Sequence, residues 1–167
     1  MLLIAQGDRK AFAELLSRHL NAVVRYALKY MRLQSDAEDV AQEVFLRIWQ
    51  KASDWKPQGF APRSWIYRIT YNLCIDEIRR RKDVVDSDEE QASDAPGPEE
   101  NVASHMEMEK LQQGMATLPE RQQTAVILCA YEGLSNIEAA KVMDCSVEAL
   151  ESLLSRGRRT LRAYMQG

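Results

Sequence analysis

Arginine, asparagine and aromatic side chains are interleaved through residues 64–82, SWIYRITYNLCIDEIRRRK. At about 100° per residue, Arg68, Asn72 and Arg79 form a polar stripe on a helix. Arginines neutralise phosphate, amides hydrogen-bond to base edges, and aromatic rings stack on unpaired bases. The pattern therefore fits contact with single-stranded nucleic acid.

Two apolar stripes flank this polar stripe, and such a helix is usually packed on two sides within a bundle. One contains Trp65, Ile66, Ile69 and Leu73; the other contains Tyr67, Tyr71, Cys74 and Ile78. We expect Trp65 and Ile69 to be core residues, and the polar stripe to face outward.

A second basic surface is predicted near the C-terminus, on a helix from residue 147 onward. Its inward positions are Val147, Leu150, Leu153, Leu154, Gly157, Leu161 and Tyr164. Its outward positions are Glu148, Glu151, Ser152, Ser155, Arg156, Arg159 and Arg162. A preceding helix and the short turn DCS complete the layout of a helix-turn-helix DNA reader. An ordinary αα-hairpin with a solvated basic face is the alternative.

An acidic surface is predicted on a helix that opens at Ser35, where Ser35 and Glu38 have the spacing of a capping box. The buried stripe comprises Ala37, Val40, Ala41, Val44, Phe45, Ile48 and Trp49. The opposite face carries Asp39, Gln42, Glu43 and Gln50. This face is either solvated surface or a docking site for a basic partner.

The elements that position these surfaces are helical throughout. Of 167 residues, 46% are hydrophobic, and only seven are Gly and five Pro, which favours an all-α protein. The N-terminal residues become charged too early for a signal peptide, and the longest apolar run is too short to span a bilayer. We expect a soluble intracellular protein whose three cysteines are reduced.

The charge distribution predicts two small helical domains joined by an acidic flexible linker. Residues 1–82 hold 15 basic and 9 acidic side chains, whereas residues 83–109 hold 10 acidic and no basic ones. The segment 83–109 also contains Pro96, Gly97 and Pro98, so it has little apolar surface to bury. Residues 110–167 form the second domain.

Capping signals divide this second domain into helices. Thr117 is expected to cap a helix with Pro119 in its first turn, and that helix should stop at Gly133. Ser135 and Glu138 form a capping box that opens the next helix.

In this order, the parts resemble a bacterial sigma factor of the extracytoplasmic-function branch of the sigma-70 family. The resemblance covers nearly the whole chain. It is carried by DAEDVAQEVFLRIWQ (36–50), SWIYRITYNLCIDEIRRR (64–81), LPERQQTAVILCAYEGLSNIEAAKVM (118–143) and SVEALESLLSRGRRTLR (146–162). The chain departs from the family pattern in two ways. Pro62 stands three residues before Trp65, where the family often has an aromatic residue, and Phe60 lies two residues earlier. Glu148 and Glu151 stand early on the last helix, where many members carry a basic or small residue.

The resemblance implies a cytoplasmic initiation factor that is not an enzyme and needs no metal or cofactor. Asp39, Gln42 and Glu43 would dock on the β′ clamp helices of core RNA polymerase, and the β flap would be a further contact. The minus-ten element would meet Arg68, Asn72 and Arg79. The minus-thirty-five element would meet Ser152, Ser155, Arg156, Arg159 and Arg162. An anti-sigma factor is the expected regulator, and a membrane would be approached only through a membrane-bound anti-sigma factor.

Two other classes of protein share parts of this pattern. A two-domain transcriptional regulator would bind duplex DNA through its helix-turn-helix without polymerase. An enzyme would use Asp36, Asp39 and Glu43 as metal ligands or acid–base groups, but neither histidine lies near them in the sequence and no glycine-rich phosphate loop is present.

Overall fold

The structure, a computed structural model, describes residues 1–31, 33–57, 59–85 and 110–166. The chain divides into two compact units, Met1–Ala95 and Pro96–Gly167. All regular elements in the described ranges are helical, which confirms the all-α prediction with two small helical domains. None of the helices described combines the length and apolarity needed to cross a membrane. Most of the predicted linker, residues 86–109, lies outside the described residues.

Among its described residues, the first unit contains four α-helices and one short 3₁₀ turn. The helices are α1 (Leu2–Ala5), α2 (Arg9–Ala27), α3 (Gln34–Lys51) and α4 (Pro62–Val85), and the turn is Ala52–Asp54. Helix α2 begins after Asp8, whose carboxylate accepts hydrogen bonds from the backbone N–H groups of Lys10 and Ala11. Helix α4 continues past Lys82, so the predicted domain boundary falls inside a helix.

The start of α3 differs from the prediction. Leu33 occupies the N-cap position and no side chain caps the helix, so the capping box of Ser35 and Glu38 is wrong. Instead, the Gln34 side chain donates to the Glu38 carboxylate at 2.8 Å. The predicted buried stripe of α3 is confirmed apart from Trp49, which is half-buried and packs edge-on against the Phe12 ring.

The core-facing side of α4 also differs from the prediction. The buried positions in its middle are Ser64, Ile66, Tyr67, Thr70, Leu73, Cys74 and Ile75. Trp65 and Ile69 are only half-buried, so their assignment to the core is wrong. On the helical wheel Trp65 falls between Asn72 and Asp76, which are both exposed, and Ile69 falls next to Asp76. Burial raises the pKa of the Cys74 thiol to about 12, so this thiol stays protonated and packs as an apolar group.

Between residues 110 and 166, its described part, the second unit contains four helical segments. Residues 110–116 form α5; the others are α6 (Glu120–Val126), continued by a π-helical turn (Ile127–Tyr131), α7 (Asn136–Val142) and α8 (Val147–Gln166). Ser135 and Glu138 make the predicted capping box at the start of α7. The predicted cap at Thr117 is wrong, because its hydroxyl donates to the Gly114 carbonyl at 2.7 Å.

Helix α8 packs closely on α6. At Gly157 an added Cβ would lie 3.0 Å from Cγ2 of Val126, so only glycine allows this approach without a shift. Leu150 and Leu154 fill the interface from α8 and are buried. The turn between α7 and α8 contains Asp144 with φ +51°. This packing leaves the opposite face of α8 in solvent.

Candidate nucleic-acid interface

The predicted acidic docking face on α3 is mostly solvent-exposed. Asp39 and Gln42 are exposed and Glu43 is half-buried. The Arg47 guanidinium donates from Nε to the Glu43 carboxylate at 2.7 Å. Within the part of the chain that the structure describes, Asp39 has no ion-pair partner, so its negative charge is available to another molecule.

An apolar groove that the sequence did not predict borders this acidic face. Leu46 is 48% exposed although it follows the buried Phe45. The groove is lined by Arg9, Phe12, Leu16, Leu20, Gln42, Phe45, Leu46 and Trp49. An exposed leucine outside the predicted buried stripe of α3 was the available signal.

The polar stripe of α4 faces outward as predicted. Asn72 and Arg79 are exposed. The Arg68 guanidinium lies over the Phe60 ring, 5.3 Å from its centroid, and the Phe60 carbonyl accepts a hydrogen bond from the Trp55 indole at 3.0 Å. The loop before α4 therefore holds Arg68 at one end of the stripe.

The run of basic residues that ends α4 is divided between two environments. Arg80 donates to Glu77, while Arg81 donates to Glu77 and to Asp36 at the start of α3. Arg79 has no acidic partner among the described residues. Two of these positive charges thus stabilise the fold, and Arg79 remains available for phosphate.

The outward face of α8 carries the predicted basic and hydroxyl side chains. All five predicted residues are exposed: Ser152, Ser155, Arg156, Arg159 and Arg162. Arg158, which was not among the predicted residues, is also exposed. It lines a groove with Asn136, Glu151, Arg159 and Arg162. Its position three residues after Ser155 was sufficient to place it on this face.

The two acids on this basic face have different partners. A hydrogen bond from its own backbone N–H and a second from Ser146 lower the pKa of Glu148, at the N-terminal end of α8. Glu151 accepts a hydrogen bond at 3.1 Å from the amide of Asn136, the first residue of α7. The partners of Glu148 therefore lie at the N-terminal end of its own helix. The partner of Glu151 lies on α7, the other helix of the helix-turn-helix.

The carboxylates that an enzyme would use, those of Asp36, Asp39 and Glu43, do not form one site. Asp36 is paired with Arg81 and Glu43 with Arg47, whereas Asp39 has no ion-pair partner in the described part of the chain. In the described ranges no group of three His, Cys, Asp or Glu side chains lies close enough to hold a metal ion.

Comparison with known families matches both units. The profile of sigma-70 region 2 matches residues 15–84, and that of sigma-70 region 4 matches residues 108–161. The RNA polymerase sigma factor NccH of Alcaligenes xylosoxydans xylosoxydans is 33% identical over 97% of this chain and 90% of its own length. The ECF RNA polymerase sigma factor SigE of Mycolicibacterium smegmatis is 34% identical over 96% of this chain and 65% of its own length.

Solved structures show the same fold. The structure of CnrH in complex with the cytosolic domain of CnrY superposes with a TM-score of 0.76, at 26% identity over 99% of this chain and 94% of that one. The sigma factor RpoE of Bartonella quintana, bound to the anti-sigma factor NepR, gives 0.78 at 24% identity, over 94% of this chain and 98% of that one.

Proposed function

Because the chain belongs to the extracytoplasmic-function branch of the sigma-70 family, we propose that it directs core RNA polymerase to promoters with particular minus-thirty-five and minus-ten elements. Its function is promoter-specific transcription initiation. The observation that carries the assignment is the presence of both sigma regions, one in each helical unit. The bond-forming chemistry belongs to the polymerase, and this chain acts with it in the cytoplasm.

The predicted first domain, residues 1–82, binds polymerase and opens the promoter. Asp39, Gln42 and Glu43 dock on the β′ clamp helices. The exposed charge of Asp39 supports this role, since an unpaired carboxylate suits a basic partner. Leu46 and the apolar groove beside Gln42 extend the docking surface.

The minus-ten element meets the polar stripe of α4. Asn72 hydrogen-bonds to an unpaired base, and Arg68 and Arg79 contact phosphate. The exposure of Asn72 and Arg79 on one side of the helix, with the half-buried Arg68 beside them, supports this arrangement. Trp65 lies on the same arc and adds an aromatic surface to it.

The predicted second domain, residues 110–167, reads the minus-thirty-five element through the outward face of α8. Ser152 and Ser155 allow close approach to the groove, while arginines contact phosphates and bases. The contributing arginines are Arg156, Arg159 and Arg162. Arg158 contributes as well, because it is exposed on the same face. This unit also contacts the β flap.

The segment 83–109 serves as an acidic tether between the units. An anti-sigma factor regulates the protein by covering its docking and DNA surfaces. The anti-sigma factor bound to the related RpoE fold supports this proposal.

The decisive test is run-off transcription with core polymerase on a promoter library, with and without this protein. Asp39→Arg is expected to abolish co-elution with core polymerase, because like charges then face each other, while circular dichroism stays helical. Asp54→Arg, which makes the same change of two charges at an exposed position outside the predicted site, is the control. Undiminished polymerase binding by Asp39→Arg would remove this face from the site. Sequence-specific duplex binding without polymerase would instead favour a two-domain regulator.

A further inference from the structure

Two glutamates lie on a helix face that is otherwise suited to DNA. Glu148 and Glu151 are exposed in the N-terminal part of α8, the part of a recognition helix that contacts base edges. A carboxylate near the DNA backbone is repelled by phosphate. An acid held on this face therefore needs either a structural role or a base to bind.

Glu148 has the structural role. Its carboxylate is bonded to its own backbone N–H and to Ser146, whose hydroxyl also accepts from the backbone N–H of Ala149. It is thus part of the cap that begins α8. Nothing in this arrangement directs it toward a base.

Glu151 is held from the other helix of the motif. The Asn136 amide donates to its Oε1, and the Asn136 carbonyl oxygen lies 3.9 Å from the Cys129 sulfur on the π-helical turn. Three elements therefore set the orientation of this one carboxylate. The structure gives its second oxygen no partner among the described residues, so that oxygen remains a free acceptor.

A carboxylate only accepts hydrogen bonds, and this selects among bases in the major groove. Guanine presents two acceptors there and thymine an acceptor and a methyl group, so neither complements it. Adenine pairs its amino donor with an adjacent acceptor. Cytosine presents the N4 amino group, the donor that glutamate contacts in DNA complexes.

We propose that Glu151 is a specificity-determining residue that accepts a hydrogen bond from cytosine in the minus-thirty-five element, with Asn136 as its positioning residue. This inference rests on the proposed function, since it requires α8 to enter the major groove of a promoter. It assigns the neighbouring arginines to phosphates and to other bases.

The test is run-off transcription by the holoenzyme on a promoter library randomised in the upstream element, with sequencing of the transcripts. The wild type is expected to enrich cytosine at one position by about fivefold or more, the ratio that a specific base contact provides. Glu151→Ala should lose the preference at that position and keep it elsewhere. Glu151→Gln, nearly isosteric, should shift the preference toward adenine. Asn136→Ala should reduce the cytosine enrichment at the same position.

Glu148→Ala is the matched control, because it removes the same charge from the same helix. It should raise overall DNA affinity as Glu151→Ala does, yet leave the cytosine preference intact. Thermal melts of each variant measure folding separately. If Glu151→Ala has a lowered melting temperature, the nearly isosteric Glu151→Gln still tests the base contact. An unchanged cytosine preference in Glu151→Gln, or none in the wild type, overturns this inference alone. Absence of any promoter-dependent transcription by the wild-type holoenzyme overturns the proposed function as well.

Discussion

Trp65 lies at the surface of α4, although the sequence predicted a core residue. It is half-buried, and the next residue, Ile66, is only 1% exposed. The 100° step between them places Trp65 inside the exposed arc of α4, next to Asn72. A large aromatic ring beside an exposed amide is a surface on which an unpaired base can stack.

We expect Ile66→Ala to lower the free energy of unfolding by about 2–5 kcal/mol, as large-to-small core substitutions do. Trp65→Ala should cost less stability but slow promoter opening more, because it removes a stacking surface rather than core volume. Urea denaturation measures the first effect, and open-complex formation on duplex and pre-melted templates measures the second. Equal stability losses in the two variants would return Trp65 to the core.

At the scale of elements, one ion-pair network joins two helices of the first unit. The Arg81 guanidinium, near the C-terminal end of α4, lies 2.7 Å from the carboxylate of Asp36 at the start of α3. It also lies 2.9 Å from the carboxylate of Glu77 on its own helix. The network couples the end of the proposed DNA-contacting helix to the proposed docking helix. It therefore contributes to the relative placement of α3 and α4.

Hydrogen bonds from Arg80, and then from Arg81, lower the pKa of Glu77. A carboxyl whose pKa is lower in the folded state stabilises the fold above its unfolded pKa, and that contribution is lost as pH falls through the folded value. We expect Glu77→Gln to destabilise the protein by roughly 1 kcal/mol at pH 7. The difference from wild type should shrink as pH falls through the lowered folded pKa of Glu77, because the wild-type carboxyl is then protonated.

Thermal melts of wild type and Glu77→Gln between pH 7 and pH 3 give this comparison. Asp76→Asn is the control, since Asp76 is exposed on the same helix and has no ion-pair partner among the described residues. A pH-independent gap between Glu77→Gln and wild type would contradict the account.

At the scale of the whole molecule, each unit has its own core. Tyr26, Val44, Ile48 and Ile66 belong to the first, and Val126, Leu128, Val142 and Leu150 to the second. All three tryptophans, Trp49, Trp55 and Trp65, lie in the first unit, so tryptophan fluorescence reports on that unit alone. Circular dichroism reports on the helices of both.

Leu150→Ala is expected to cost the second unit about 2–5 kcal/mol, because Leu150 is fully buried between α8 and its neighbours. Small domains have few kcal/mol to lose, so part of the helical signal should melt at lower temperature. The fluorescence midpoint should not move. Val44→Ala is the reciprocal control and should shift the fluorescence. A fluorescence midpoint that falls in Leu150→Ala would show that the two cores unfold together.

Local signals predicted most of the helices. The spacing of apolar residues located α2, α3 and α8, and the capping box of Ser135 with Glu138 placed the start of α7, because these features depend on residues within one or two turns. The same type of signal failed at Ser35 and Thr117, where another nearby group formed the hydrogen bond instead. The exposed residues of α8 also followed from helical periodicity.

What the sequence by itself determined about this protein was its helical class, its family resemblance and most of the outward positions of α3 and α8. Only the tertiary structure decided which of the arginines in the run 79–81 has no acidic partner among the described residues, that Trp65 lies at a surface, and that Asn136 holds Glu151. These depend on pairs such as Arg81 with Asp36, 45 residues apart in the chain. Helical periodicity sets the direction of a side chain from its own axis, whereas its partner is set by how separate helices pack.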